Sequence, residues 1–235
     1  LDILSWHYYP FQSTRGRIAT RRVGNGAGRY ARARTSARYR ARRVRRFARQ
    51  SAVSSVWLSE TGHALFGGQP GRSDRYVSSL WWIDHLGSMA LEGVAGVVRQ
   101  SLVGGDYGLL ATDGFTPRPD YWLSLLWKRT MGTSVFVAPS DDRRVRWYLH
   151  SRADGRPGYS NAIINTDSKH SLEVRLPYRS HGWLVRGDLT AETIEINGRR
   201  VGPNTTPSLS ALPAVETFER SVRLPPFGVL FVSSV

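Results

Sequence analysis

A chain of 235 residues has room for one large domain or two small ones, and its 33 Lys and Arg against 18 Asp and Glu give a formal charge of +15. It has no Cys, which excludes a disulfide framework and a thiolate metal site, and no apolar run approaches the roughly 18 residues of a membrane span. The charge is local. Residues 14–50 hold 14 Arg and no Lys, Asp or Glu, leaving 19 basic and 18 acidic side chains elsewhere, so the basicity belongs to one segment and not to the whole fold.

The opening residues, Leu1-Asp2-Ile3-Leu4-Ser5-Trp6, already read as a strand, with no initiator Met and no signal peptide before them. This is the expectation for a piece that begins inside a fold. Pro10 ends the strand and leaves His7, Tyr8 and Tyr9 at its C-terminal end.

Between two parallel strands one expects a helix with Leu or Ile every three or four residues. Residues 14–50 have no Leu and a single Ile, Ile18. Gly24, Gly26 and Gly28 disfavour helix, although the Ala and Arg content from Tyr30 onward permits one. Three readings compete: an arm that neutralises nucleic-acid phosphates, a patch for a heparin-like polyanion, or a frame-shifted stretch of a GC-rich gene. The ordinary composition of both flanks favours the third.

Residues 53–60 form the next strand, and Gly62, Gly67, Gly68, Pro70 and Gly71 make a loop whose backbone can approach a ligand closely. Ser73 or Asp74 is placed to cap a helix carrying Tyr76, Val77, Leu80, Trp81, Ile83 and Leu86 inward, with Gly87 placed to end it. Residues 93–103 read as a third strand, covered on both faces, and Gly104-Gly105-Asp106-Tyr107-Gly108 is a second glycine loop after it. Pro119 opens a helix with an apolar stripe of Trp122, Leu125 and Leu126.

From residue 134 the pattern changes to short alternating runs: Val145, Trp147 and Leu149; Leu172, Val174 and Leu176; Ile194 and Ile196. Asn197-Gly198 is a type I′ hairpin signal. These runs predict an antiparallel β-sandwich over 134–235. The preceding order of elements fits the last three βα units of a (β/α)8 barrel over 1–133, with 14–50 atypical. Three parallel strands cannot close, so this part is not expected to fold stably alone.

The stretch Val56-Trp57-Leu58-Ser59-Glu60-Thr61-Gly62 joins an apolar run to a carboxylate and then to glycines. Taken alone, Glu60 reads as a strand-end residue meeting solvent. In a (β/α)8 barrel that position, the C-terminal end of a strand, is where reactive side chains sit. The six histidines, His7, His63, His85, His150, His170 and His181, show no ligand spacing, so neither a metal nor a cofactor is expected.

With Trp6-His7-Tyr8-Tyr9, Trp57-Leu58-Ser59-Glu60-Thr61, Phe66-Gly67-Gly68, Arg99-Gln100 and Pro119-Asp120-Tyr121-Trp122 in order, the chain resembles the heparanase-type β-glucuronidases of glycoside hydrolase family 79. The likeness covers residues 1–13 and about 52–150, extends loosely into the sandwich, and leaves out 14–50. It implies a (β/α)8 barrel with an appended β-sandwich, retaining hydrolysis of a uronic-acid glycan or glucuronide, and a secreted or periplasmic location. It puts Glu60 at the nucleophile, Tyr9 at the residue that orients it and His7 at a pocket histidine. It puts Gly67 and Tyr107 near the groups that hold the sugar carboxylate, Gly68 among the substrate-binding residues, and Gln100 at a sugar contact. Phe66 stands where the pattern has Gly, and the glycine loop before Tyr107 is one residue short.

Retention needs a second carboxyl about 5–5.5 Å from the first. The family carries it in an Asn-Glu-Pro-like motif on an earlier strand, and this chain has no Asn-Glu pair. Asp106, Asp113 and Asp120 are candidates by type, with Asp113 and Asp120 reading better as loop and helix-start residues. The remaining alternatives are an inactive fragment and a polyanion-binding protein working through residues 15–49; a nucleic-acid partner lacks a recognisable fold here.

Overall fold

A computed structural model describes residues 2–17, 21–23, 27–138 and 142–235. Ile18, Gly24 and Gly26, which entered the reading of the Arg-rich segment, lie outside the described residues. The elements run β1 (Ile3–Tyr8), β2 (Phe11–Gln12), α1 (Ala27–Gln50), β3 (Ser55–Thr61), β4 (Ala64–Leu65), α2 (Tyr76–Leu91), β5 (Gly96–Arg99) and α3 (Pro119–Thr130). Then follow β6 (Met131–Phe136), β7 (Val145–Arg152), β8 (Tyr159–Asn165), β9 (Leu172–Arg175), β10 (Ser180–Arg186), β11 (Ile194–Ile196), β12 (Arg199–Val201), β13 (Glu216–Phe218), β14 (Ser221–Leu224) and β15 (Val229–Ser234).

β1, β3 and β5 form a parallel sheet in that order. In β1 the side chains alternate: Leu4, Trp6 and Tyr8 pack towards the helices, while Ile3, Ser5 and His7 are exposed on the other face. β3 does the same with Val56 and Leu58 inward and Trp57 outward. At the ends of the strands the register shifts by one: Trp6 pairs with Leu58, but His7 pairs with Glu60. β5 is shorter than the run of residues 93–103, and it is not covered on both faces, since Val98 is exposed. It is an edge strand with β3 as its one neighbour among the described residues, so nothing beside it extends the pairing.

The Arg-rich segment folds, from Ala27 to Gln50, as a helix. Its buried stripe is alanine: Ala33, Ala37, Ala41 and Ala48. Small side chains let α1 lie close over β1 and β3, and so no Leu or Ile stripe marked it. Arginines flank the stripe. Arg38 and Arg42 donate to the Glu92 carboxylate at 2.5 and 2.8 Å, and Arg45 donates to the Glu92 carbonyl at 2.6 Å. Arg34 lies 3.4 Å from Asp84 and donates to Ser88 Oγ at 3.1 Å. Gly28 lies within the first turn of this helix and does not prevent it.

α2 differs from expectation at both ends. Neither Ser73 nor Asp74 caps it; its first residue is preceded by Arg75, which makes no side-chain cap. Ser73 Oγ instead accepts from Gln69 N and meets His63 Nδ1. The free N–H groups of Tyr76 and Val77 are satisfied by the carbonyls of Ala191 and Leu189, both at 3.0 Å. Gly87 lies inside the helix, because the Tyr148 ring packs where its Cβ would stand, 2.2 Å from the nearest ring atom. The helix ends four residues later, before Glu92 and the left-handed Gly93.

The antiparallel sheet has the order β12-β11-β10-β15-β8-β7-β6, with β13 also paired to β10. The Asn197-Gly198 turn joins β11 to β12 with φ of 45° and 75°, as a type I′ hairpin requires. One face of this sheet shares a core with α2 and α3, in which Trp81, Trp82, Trp122 and Leu126 meet Tyr148, Ile164, Val185 and Phe231. The other face is covered by the β9–β14 pair through Val174, Leu176, Val222 and Leu224.

Glu92 ties α1 to the end of α2, which gives a pH test. Burial pushes its carboxyl up, but the hydrogen bonds from Arg42 and Arg38 outweigh that and hold it below its ordinary value. A depressed carboxyl contributes stability above its unfolded value, about 4.3, and loses it as pH falls through the folded value. Glu92→Gln should therefore lower the thermal midpoint of the complete protein at neutral pH. The deficit should close as the pH is taken below about 4.3; a deficit unchanged with pH would show that the charge on Glu92 is not what holds α1.

Candidate functional site

The sequence-predicted residues lie at the C-terminal ends of the parallel strands, His7 and Glu60, or on the three loops that follow them. Glu60 is the penultimate residue of β3, and its carboxylate accepts from Tyr9 Oη at 2.9 Å through Oε1. His7 Nδ1 lies 3.5 Å from Oε2, so two groups of the β1 end meet one carboxylate. Thr61 turns the other way and donates to the Tyr8 carbonyl at 2.7 Å, which fixes the two strand ends to each other. Burial raises the Tyr9 phenol well above its ordinary range, and the hydrogen bond to Glu60 and the Glu60 charge raise it further. Tyr9 is therefore a donor to Glu60 across the whole neutral range.

Tyr107 brings its ring to 6.3 Å from that of Tyr9. Gly62 lies between them: a Cβ there would come within 3.2 Å of both rings and 3.0 Å from the Gln100 carbonyl. Gln100 donates its backbone N–H to the Thr61 carbonyl at 2.7 Å, and its peptide bond to Ser101 is cis. Gln100 thus sits beside the site, half-buried.

The turn at Phe66, Gly67 and Gly68 has φ of 68°, 81° and 86°. Two of these left-handed positions are the glycines such angles favour. Phe66 takes the same conformation at a cost, and its ring lies over Gly16, whose Cβ would stand 2.5 Å from it. The Gly68 N–H is used within the turn, donating to Ala64 O at 3.1 Å. The Gly67 N–H and the Tyr107 hydroxyl have no partner among the described residues. They are the donors this part of the site can offer an anion.

Behind the site lies a network that the sequence did not reveal. Arg99 pairs with Asp120, and donates to the Tyr107 carbonyl from Nε at 3.1 Å and Nη2 at 2.8 Å. Both charged side chains are almost wholly buried, at 6% and 2% exposure. The Arg99 guanidinium stands 5.3 and 4.7 Å from the ring centres of Trp81 and Trp82. Asp120 accepts from Ser78 at 2.8 Å and from Ser79 at 2.6 Å. Burial pulls the Arg99 guanidinium down from its ordinary value, and Asp120 offsets part of that. Arg118 adds hydrogen bonds to the carbonyls of Gly105 and Gly108.

The other carboxylates suggested by type are engaged elsewhere. Asp113 bonds its own loop at Phe115 and Thr116, which holds it down to about 2. Asp106 contacts Arg15. His63 and His85 are buried behind the site and held neutral, at about 3, by burial and by the charge of Arg99. Among the described residues no group of three or more His, Cys, Asp or Glu could hold a metal ion, and no helix is long and apolar enough to cross a membrane.

No protein-family model matches the chain. Heparanase from Gallus gallus is 47% identical over 112 residues, or 46% of this chain and 21% of that protein. Baicalin-beta-D-glucuronidase from Scutellaria baicalensis is 29% identical over 194 residues, or 78% of this chain and 37% of that protein. Heparanase from Bos taurus is 29% identical over 250 residues, or 98% of this chain and 44% of that protein. This last match runs through residues 14–50, where the motifs alone had found no likeness. Among solved structures, the GH51 arabinofuranosidase from Xanthomonas axonopodis pv. citri has a TM-score of 0.64 at 15% identity, covering 99% of this chain and 52% of that one. A family 44 xyloglucanase from Paenibacillus polymyxa has a TM-score of 0.61 at 12% identity, covering 99% and 46%. At that identity the likeness is one of fold, and these neighbours are glycoside hydrolase barrels. The chain spans 21–44% of the length of these curated relatives and is related to the heparanase-type β-glucuronidases over that part.

The buried ion pair gives a direct test. Asp120→Asn keeps the shape but leaves Arg99 without a counter-charge in a dry site, and breaking such a pair costs about 3–5 kcal/mol. Urea unfolding of the complete protein should show a loss of that size; a loss under about 1 kcal/mol would mean that Arg99 reaches water after all.

Proposed function

We propose that this relative of the heparanase-type β-glucuronidases forms the C-terminal part of a (β/α)8 barrel, residues 1–133, followed by a β-sandwich, residues 134–235. In this reading it supplies the nucleophile of a retaining hydrolase acting on β-linked glucuronic acid in a glycosaminoglycan or glucuronide. The observation that carries the reading is the Tyr9–Glu60 hydrogen bond of 2.9 Å at adjacent strand ends, with His7 on the other carboxylate oxygen. The exposed Ile3, Trp57 and Val98 on the open face of the parallel sheet support the barrel, since a closed barrel buries such side chains in its interior.

In this mechanism Glu60 attacks the anomeric carbon as the leaving group departs, giving a covalent glycosyl-enzyme that water then hydrolyses. The acid, which later acts as base, is a carboxyl supplied by an earlier barrel strand outside this chain. A donor to the charged form of a carboxylate favours that form, and Tyr9 is that donor. His7 and Gln100 contact the sugar. The Gly67 N–H and the Tyr107 hydroxyl hold the sugar carboxylate, an anion that backbone N–H groups can bind without a cation. Gly68 gives the turn its shape.

Glu60→Gln in the complete protein should lower turnover of 4-nitrophenyl β-D-glucuronide by roughly 10⁴-fold or more, the scale of losing a nucleophile. A 2-deoxy-2-fluoro glucuronide should leave a covalent adduct on a peptide containing Glu60. Full turnover by the variant, or an adduct elsewhere, would overturn the assignment.

A further inference from the structure

Arg15, Arg17, Arg21 and Arg22 of the Arg-rich segment precede α1. Arg15 follows β2 and reaches across to the loop after β5, where its Nη1 lies 2.5 Å from Asp106 Oδ2. The two groups meet as charges and not as an aligned hydrogen bond. The same Nη1 donates to the Gly68 carbonyl at 3.4 Å and stands 3.4 Å from where a Cβ on Gly67 would be. A third contact joins the same places through the backbone, with Asp106 N donating to the Gly67 carbonyl at 2.6 Å.

The backbone around Arg15 is held to the glycine turn at several points. Ser13 N donates to the Leu65 carbonyl at 3.0 Å, and Thr14 N to Gln69 Oε1 at 2.8 Å. Gly16 lies under the Phe66 ring. The arginine therefore starts from a fixed position. Its target loop is also fixed from below, by Arg99 and Arg118 on the carbonyls of Gly105, Tyr107 and Gly108. What remains to be set is the distance between the Gly67 N–H on one loop and the Tyr107 hydroxyl on the other.

We propose that Arg15 and Asp106 are positioning residues that strap the glycine turn to the Tyr107 loop and so set the spacing of the two donors for the sugar carboxylate. This rests on the carboxylate reading of Gly67 and Tyr107 given above. Asp106 is mostly buried while half of Arg15 is in water, so the strap is moderate in strength and adjustable. It also accounts for an aspartate in a carboxylate-binding site: a bare Asp106 would repel the substrate, and Arg15 neutralises it.

The test uses the complete protein with 4-nitrophenyl β-D-glucuronide and the variants Arg15→Gln, Asp106→Asn and the two combined. Arg15→Gln, which frees the turn and also bares Asp106, should raise KM about 2- to 5-fold, the range expected of a half-exposed pair, and Asp106→Asn should raise it less, with kcat kept within about threefold. The double variant should be no worse than the worse single one, because both remove the same contact. Arg15→Lys should recover part of the loss. Unchanged KM in both singles, or effects that multiply in the double variant, would overturn the strap. A second readout does not depend on turnover. Amide hydrogen exchange of residues 66–69 should quicken about two- to fivefold in Asp106→Asn if opening of the turn loses one such contact. If exchange there is unchanged, the strap does not exist. If it quickens while the wild-type protein leaves glucuronides intact, the strap stands as a loop contact, but its role for a sugar carboxylate falls together with the hydrolase reading.

Discussion

The buried pair of Arg99 and Asp120 is the constraint on which the rest of the site depends. Neither charge can face water, so each must be met by designed partners, and those partners come from every layer nearby. Ser78 and Ser79 bring α2, Asp120 is itself in the first turn of α3, the two indoles bring the helical core, and the Tyr107 carbonyl brings the loop beside Glu60. The loop that carries Tyr107 is thereby attached to the helical core around Trp81 and Trp82. Side chains at the rim can then be half-exposed, as His7 and Arg15 are, without losing their place.

α1 solves a related problem with different residues. Alanine provides little apolar area, so burying Ala33, Ala37, Ala41 and Ala48 gains less than a leucine stripe would. The arginines beside the stripe add what alanine lacks, by ion pairs to Asp84 and Glu92. Part of the basic charge is consequently internal wiring. The helix keeps Arg32, Arg40, Arg43, Arg46 and Arg49 on its exposed side, and these account for its outward appearance as a charged rod.

What the residues disclosed depended on how local the cause was. Glu60, Tyr9 and His7 were legible because strand-end position follows from a short apolar run and its stop. The Asn197-Gly198 hairpin was legible because its angles are a property of those two residues. Gly87 was misread as a helix stop, since the reason for it is the Tyr148 ring, 61 positions away in sequence. Ser73 was misread as a cap for the same reason: His63 uses it. The partnership of Arg99 with Asp120 joins residues that each had a sufficient local explanation, in a strand end and a helix start. Arg15 was one arginine among fourteen in its segment, and only the fold separates it from the others.

The register shift in β3 has a consequence for how this carboxylate is aimed. Along a strand, successive side chains point to opposite sides, so direction is a matter of odd and even. By simple alternation from Trp57, the open side would receive Ser59 and Thr61, and Glu60 would be driven into the helices. The extra residue between Leu58 and Glu60 changes that count: Glu60 now stands beside His7, and Thr61 is buried against Tyr8. The orientation of the acid is thus stored as a parity, not as a property of the glutamate. A single residue gained or lost between Trp57 and Glu60 would leave every nearby side chain chemically intact and still point the acid the wrong way.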